Sequence, residues 1–206
     1  AMSFGLKNAA WVYQTLNLQA VDYLRKLMVT LELYIDDRLI ERYMGPLRQG
    51  IRDTYKTRAV LAIYMAAQVV TELGFFINLG KSVLTPQPTM LFLGLITDAP
   101  KQAFILPKEK REKFAKLRED ILAGSKVQVL DLQRFTGKVT SFMLAIPACK
   151  MYTAQCNEAI SNAVKEGKTR VPLQGELREE IEHWRFLDSW REHMPWRQES
   201  HIAITM

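Results

Sequence analysis

The sequence predicts an α+β fold, and three observations carry that prediction. Apolar residues recur at helical spacing in some segments and in short runs bounded by turn residues in others; the two kinds of segment alternate as far as Leu106; beyond it helical spacing dominates. In residues 9–27, Val12, Leu16, Ala20, Leu24 and Leu27 fit one face of a helix. Residues 28–34 read as a β-strand, with its return along residues 38–42. Asp53 is placed to cap a long helix through Thr71, with Ala59, Ile63, Ala66 and Val70 on one stripe and Gly74 as a left-handed terminator. Residues 75–78 and 90–96 read as strands, the second pairing with residues 103–106 across Asp98-Ala99-Pro100-Lys101. Pro107 suits a first helical turn, Phe114, Leu117 and Ile121 make a stripe, and Gly124 ends it. Further helices are expected over residues 130–145, stopping before Pro147, and over 148–164. A last one, over 176–190, is amphipathic through Leu177, Ile181, Trp184 and Leu187.

Composition excludes several classes. The 206 residues, 48% hydrophobic, suffice for one or two modest cores, and no apolar run is long enough to cross a bilayer. No signal peptide opens the chain, and its two cysteines, Cys149 and Cys156, are expected on one helix face as buried reduced thiols, so an intracellular setting, cytoplasmic or nuclear, is expected with no membrane partner. His183, His193 and His201 lack metal-ligand spacing, and Ser82 and Ser125 have no partnered base. Trp184, Trp190 and Trp196 suit burial better than base stacking. The net charge of +6 is unevenly spread: residues 101–170 hold 14 Lys plus Arg against 7 Asp plus Glu, leaving the remainder slightly acidic. That excess is the footprint of phosphate-backbone contact, although a solvated helix face shows the same imbalance.

The chemistry concentrates at Tyr34-Ile35-Asp36-Asp37, two adjacent carboxylates behind the apolar positions Leu31 and Leu33. Adjacent acids repel unless a cation neutralises them; Mg²⁺ prefers carboxylate oxygen, keeps several waters and is completed by substrate phosphates. A solvated turn explains an isolated Asp pair equally well.

The upstream residues decide between these. Ser3-Phe4-Gly5-Leu6-Lys7-Asn8-Ala9-Ala10-Trp11-Val12-Tyr13-Gln14 resembles the template-grip motif of reverse transcriptases, and Tyr34-Ile35-Asp36-Asp37 resembles that family's YxDD box. Gly74 to Ser82 resembles its following Gly, Asn and Lys-Ser motif, and Leu91-Phe92-Leu93-Gly94-Leu95 its primer-gripping hairpin. Residues 130–138 are most similar to retroelements of the tyrosine-recombinase, DIRS-like type. Four motifs follow in order, and together with the helical region after them the resemblance covers nearly the whole chain. The departures are Ala10 where proline is usual and Arg38 where an apolar residue is commoner, the latter placed to pair with Asp37 and weaken metal binding.

The resemblance implies a polymerase palm, an antiparallel sheet with packed helices, followed by a helical thumb. Residues 1–106 would be a partial palm with template grip, YxDD box and primer grip, 107–170 the thumb, and 171–206 a connection towards a ribonuclease H domain whose first strand is His201 to Met206. It implies RNA-directed DNA polymerisation by two-metal nucleotidyl transfer, with Asp36 and Asp37 as catalytic ligands of Mg²⁺ or Mn²⁺. Phe4, Gly5, Gln14 and Lys81 would contact template and nucleotide, Phe92, Leu93 and Gly94 the primer, and Lys110, Lys113, Arg134 and Lys138 the duplex. The partners implied are an RNA or DNA template with its primer and deoxynucleoside triphosphates. The fingers and the third carboxylate are expected upstream of Ala1, which makes the chain inactive alone. Ordinary packing explains Phe4, Phe92, Leu93 and Gly94 as well, and a surface position explains Lys81. A non-catalytic nucleic-acid-binding module and a helical interaction scaffold are the competing readings.

Overall fold

The computed structural model describes residues 7–41, 49–190 and 193–195, with the side chains of 49–55 left aside. It divides into two compact units, Ala1–Gln87 and Pro88–Met206. Helices accompany three separate antiparallel sheets, the α+β class expected. Among the described residues no helix is long and apolar enough to cross a membrane.

In the first unit, helix α1 (Ala9–Lys26) precedes the hairpin β1 (Thr30–Tyr34) and β2 (Asp37–Glu41), and α2 spans Gln49–Glu72. The inward face of α1 is Asn17, Ala20, Val21 and Leu24, while Leu16 and Leu27 are exposed. The expected stripe stepped by four residues, and such a row drifts around the helix by 40° a step; the i, i+3, i+4, i+7 set is the one that stays on one side. The core closes as Val21, Leu24, Val29 and Leu31 meet Ala62 and Ala66 of α2. Helix α2 begins at Gln49, so Asp53 lies within it and is not its cap. Its end is as expected: Gly74 adopts φ +83°, its N–H donates to Thr71 O at 2.9 Å, and Phe75 N–H donates to Val70 O at 3.1 Å. This is the Schellman closure that glycine permits. Residues 75–78 form no strand, because among the described residues no neighbouring strand offers the ladder bonds that an isolated extended segment needs; Phe76 is fully exposed. Arg42 lies outside the described residues.

The second unit opens with β3 (Thr89–Phe92), β4 (Leu95–Asp98) and β5 (Ala103–Ile105), joined by β8 (Met194–Pro195) in the order β3-β4-β5-β8. Residues 90–96 are therefore not one strand: Phe92 pairs with Leu95 and the chain reverses at Leu93-Gly94, both at positive φ. Helix α3 (Lys108–Leu122) follows Pro107, and α4 (Val129–Thr140) ends earlier than expected. Residues 148–164 split into a 3-10 turn (Cys149–Thr153) and α5 (Ala154–Lys165). Cys149 and Cys156 are both buried and free, but on different elements and not on one helix face. A two-strand sheet joins β6 (Lys126–Gln128) to β7 (Arg170–Pro172), and α6 (Gly175–His183) runs into a 3-10 turn (Trp184–Asp188). Leu177, Ile181, Trp184 and Leu187 are all buried, as their spacing predicts. Around Trp184 the core stacks aromatic rings, with Phe114 and Phe135 centroids 4.9 Å apart.

Candidate active site

Antiparallel pairing sets Tyr34 opposite Asp37, leaving Ile35-Asp36 as a two-residue turn. Ile35 takes φ +53°, a left-handed conformation that a β-branched residue resists. Its backbone is held from helix α1: Ile35 N–H donates to Gln14 Oε1 at 2.5 Å, and Gln14 Nε2 donates to Leu33 O at 3.5 Å. The turn thus carries Asp36 at its tip and Asp37 at the first position of β2, with both carboxylates exposed.

A second strap comes from Arg38. Its guanidinium donates to Asn17 Oδ1 and to the Asp36 carbonyl oxygen, the latter at 3.4 Å. Asn17 is almost wholly buried and donates its own amide to Tyr13 O at 2.9 Å, so both ends of this buried polar group are satisfied. Among the described residues Arg38 makes no ion pair with Asp36 or Asp37, contrary to the pairing expected from its position. The reason is geometric: one residue past Asp37, a strand side chain points to the opposite face of the hairpin. Asn17 was not singled out in the sequence. Its signal was present, as a polar residue within an inward stripe demands a partner, and the unusual Arg38 is that partner.

The acid pair fits a hard divalent cation in part. Two exposed carboxylates offer oxygen ligands, and Mg²⁺ is satisfied by one or two carboxylates with water and phosphate completing its shell. Among the described residues no group of three or more His, Cys, Asp or Glu is placed to hold a metal. One ion with solvent or phosphate fits; a second requires another acid.

Of the other predicted residues, Phe4 and Gly5 lie outside the described residues. Lys81 is exposed, in the turn where its N–H donates to Asn78 O at 3.1 Å. Phe92 closes β3, and Leu93 and Gly94 form the turn to β4. The four basic residues divide. Lys113 bonds Glu109 at 2.5 Å and Arg134 bonds Asp131 at 3.1 Å, each within its own helix. Lys110 and Lys138 are half-buried. Burial pushes the Lys110 ammonium below its ordinary value, and the charge of Lys138 pushes it the same way.

No family model and no curated protein matches this chain. Two solved structures do. The foamy viral protease-reverse transcriptase in complex with double-stranded DNA aligns over 91% of this chain and 29% of its own, with TM-score 0.59 and 16% identity. The same viral protein in complex with an RNA/DNA hybrid aligns over 90% of this chain and 22% of its own, again with TM-score 0.59 and 16% identity. The chain has a reverse-transcriptase-like fold. It spans less than a third of the length of the chains it resembles.

Proposed function

We propose that this chain is the palm and thumb portion of an RNA-directed DNA polymerase from a retroelement, acting on a template–primer duplex and deoxynucleoside triphosphates. The observation that carries the proposal is the hairpin turn at Ile35-Asp36, which presents two exposed carboxylates while Gln14 and Arg38 hold its backbone from behind. Side-chain ligands on an ordinary surface turn wander; here two straps limit the turn, as a metal site requires.

Asp36 and Asp37 would hold the cation, which when bound lowers the pKa of a primer hydroxyl and neutralises phosphate charge. Gln14 and Arg38 orient the acid-bearing backbone. With both amide atoms of Gln14 bonded to the hairpin, its contribution to template and nucleotide contact is to shape the floor and not to donate bonds. Phe92, Leu93 and Gly94 support the primer strand, and the basic helices meet the duplex. The fold likeness to proteins solved with DNA and with an RNA/DNA hybrid supports a nucleic-acid partner.

Paramagnetic Mn²⁺ tests the site directly. Added to the chain, it should broaden the amide resonances of residues 33–38 before any others, and Asp36→Asn with Asp37→Asn should abolish this while leaving duplex binding within twofold. Uniform broadening, or broadening centred elsewhere, removes the acid pair from metal binding. The non-catalytic binding module predicts duplex affinity with no such site.

A further inference from the structure

Among the described residues, three buried side-chain polar atoms meet no partner in the protein: Thr97 Oγ1, Arg111 Nε and Trp190 Nε1. They are not scattered. Thr97 lies opposite Phe104 in the β4-β5 ladder and Phe104 opposite Met194 in the β5-β8 ladder, so Thr97, Phe104 and Met194 share one face of the sheet. Phe104 and Trp190 both pack against the larger core, and the Arg111 guanidinium donates to Trp190 O. Each unmet group thus belongs either to the row of side chains that β8 completes or to the bond that ties Trp190 to α3. Arg118, buried in the same unit, is the contrast: all three of its guanidinium nitrogens are bonded.

The attachments at this place are slight. β8 is two residues long, and the second, Pro195, has no N–H to give a ladder. Its register reaches only Ala103 and Phe104 of β5. Between α3 and the 3-10 turn that precedes Trp190, a cleft of about 270 Å³ opens beside Arg111, Ala115 and Leu187. A buried N–H or hydroxyl that finds no partner costs the folded state the hydration it gave up. The closed position of β8 bears that cost, and only a two-residue ladder and the Arg111 bond are set directly against it.

We propose that β8 and Trp190 form a latch on the edge of the four-stranded sheet, one that comes away from β5 and α3 while the rest of the second unit stays folded. Closed, the latch covers the outer side of β5; open, it leaves β5 as an edge strand with backbone groups free to pair with another strand. This device does not depend on the polymerase reading.

Native-state hydrogen exchange on the whole chain is the test. In the unaltered chain, the β5-β8 ladder amides of Phe104 and Met194 should exchange well ahead of those in α3 and α4, and with little dependence on urea, because opening the latch exposes little surface. Thr97→Val and Trp190→Phe each delete an unmet group and keep the shape around it, so each should slow exchange at this ladder by roughly fivefold or more. Arg111→Ala removes the bond to Trp190 O and should speed it. Ladder amides that exchange only together with α3 and α4, at the urea dependence of global unfolding, overturn the latch. Unchanged or faster exchange in both Thr97→Val and Trp190→Phe also overturns it, since the two groups are then already satisfied in the closed state, as a buried water would satisfy them. Unchanged exchange in Arg111→Ala overturns the tie to α3.

Discussion

Arg38 and Asn17 show how one side chain can answer another across a turn. Asn17 is buried in α1 with its amide already bonded to Tyr13, so its oxygen depends on Arg38. Arg38→Ala should cost about 1–2 kcal/mol, the penalty of leaving a buried acceptor unmet. Removing the demand as well, in Arg38→Ala with Asn17→Leu, should recover much of that loss. Urea denaturation of the two variants checks this, and equal destabilisation by both would mean the bond contributes little. Asp36 and Asp37 were legible from their identity and neighbours, because a carboxylate pair after an apolar run is a local pattern. The straps were not, because Gln14 lies 21 positions from Ile35 and only the return of the hairpin against α1 brings them together.

At the scale of elements, the hairpin and the helices carry opposite electrostatic burdens. Glu41, the last residue of β2, has its carboxyl raised above the ordinary value, first by burial and then by Glu32 on the partner strand. The folded state therefore keeps a proton that the unfolded chain has already released above about pH 4.5. Stability contributed by this group falls as pH rises through the raised value, and the deficit persists at neutral pH. Glu41→Gln should raise the melting temperature at pH 7 and gain less at pH 4; an equal gain at both would exclude titration of Glu41 as the cause. In the second unit, Arg118 is almost wholly buried, donates to Trp184 O at 2.9 Å, and grips Asp188 at 2.7 and 3.1 Å and Glu119 at 2.8 and 3.0 Å. Because both acids are half exposed and water can take them over, Arg118→Ala should cost about 2–4 kcal/mol, chiefly from the cavity and the abandoned carbonyl. Calorimetry of that variant should show the loss, while Arg185→Ala, which frees an exposed bond to Glu119, should lose less than about 1 kcal/mol. Apolar spacing foretold the helix α3; it did not foretell that an arginine belongs on its inward face, because a buried guanidinium is decided by the carbonyl of Trp184 and the carboxylate of Asp188 that arrive from the 3-10 turn after α6.

For the molecule as a whole, the thiols report on the larger core. Cys149 and Cys156 are fully buried within it, and burial raises both thiols, with Glu180 raising Cys156 further. Thiolate is the reactive form, so at pH 7.5 neither should react with a disulfide reagent until the unit Pro88–Met206 opens. Labelling in native buffer should be slow and should accelerate through the urea transition. Rapid native labelling of either would contradict the packing around Val139, whose carbonyl oxygen meets Cys149 Sγ at 3.3 Å.

What the sequence determined by itself was local: helical periods, the glycine that ends α2, the proline before α3, and the ordered motifs resembling a reverse transcriptase. These depend on neighbours within a turn or two of chain, where sterics and hydrogen-bond spacing act without reference to the rest of the fold. Tertiary structure decided the rest. It decided that residues 75–78 are not a strand, since a strand exists only by pairing, and that the chain turns at Leu93-Gly94 to make two. It also separated Lys113 and Arg134, already paired on their own helices, from Lys110, which lies over Gly94 and, like Lys138, meets no carboxylate among the described residues. A count of charges is fixed by composition, whereas the fraction of them free to meet a ligand depends on distances that only the packed elements set.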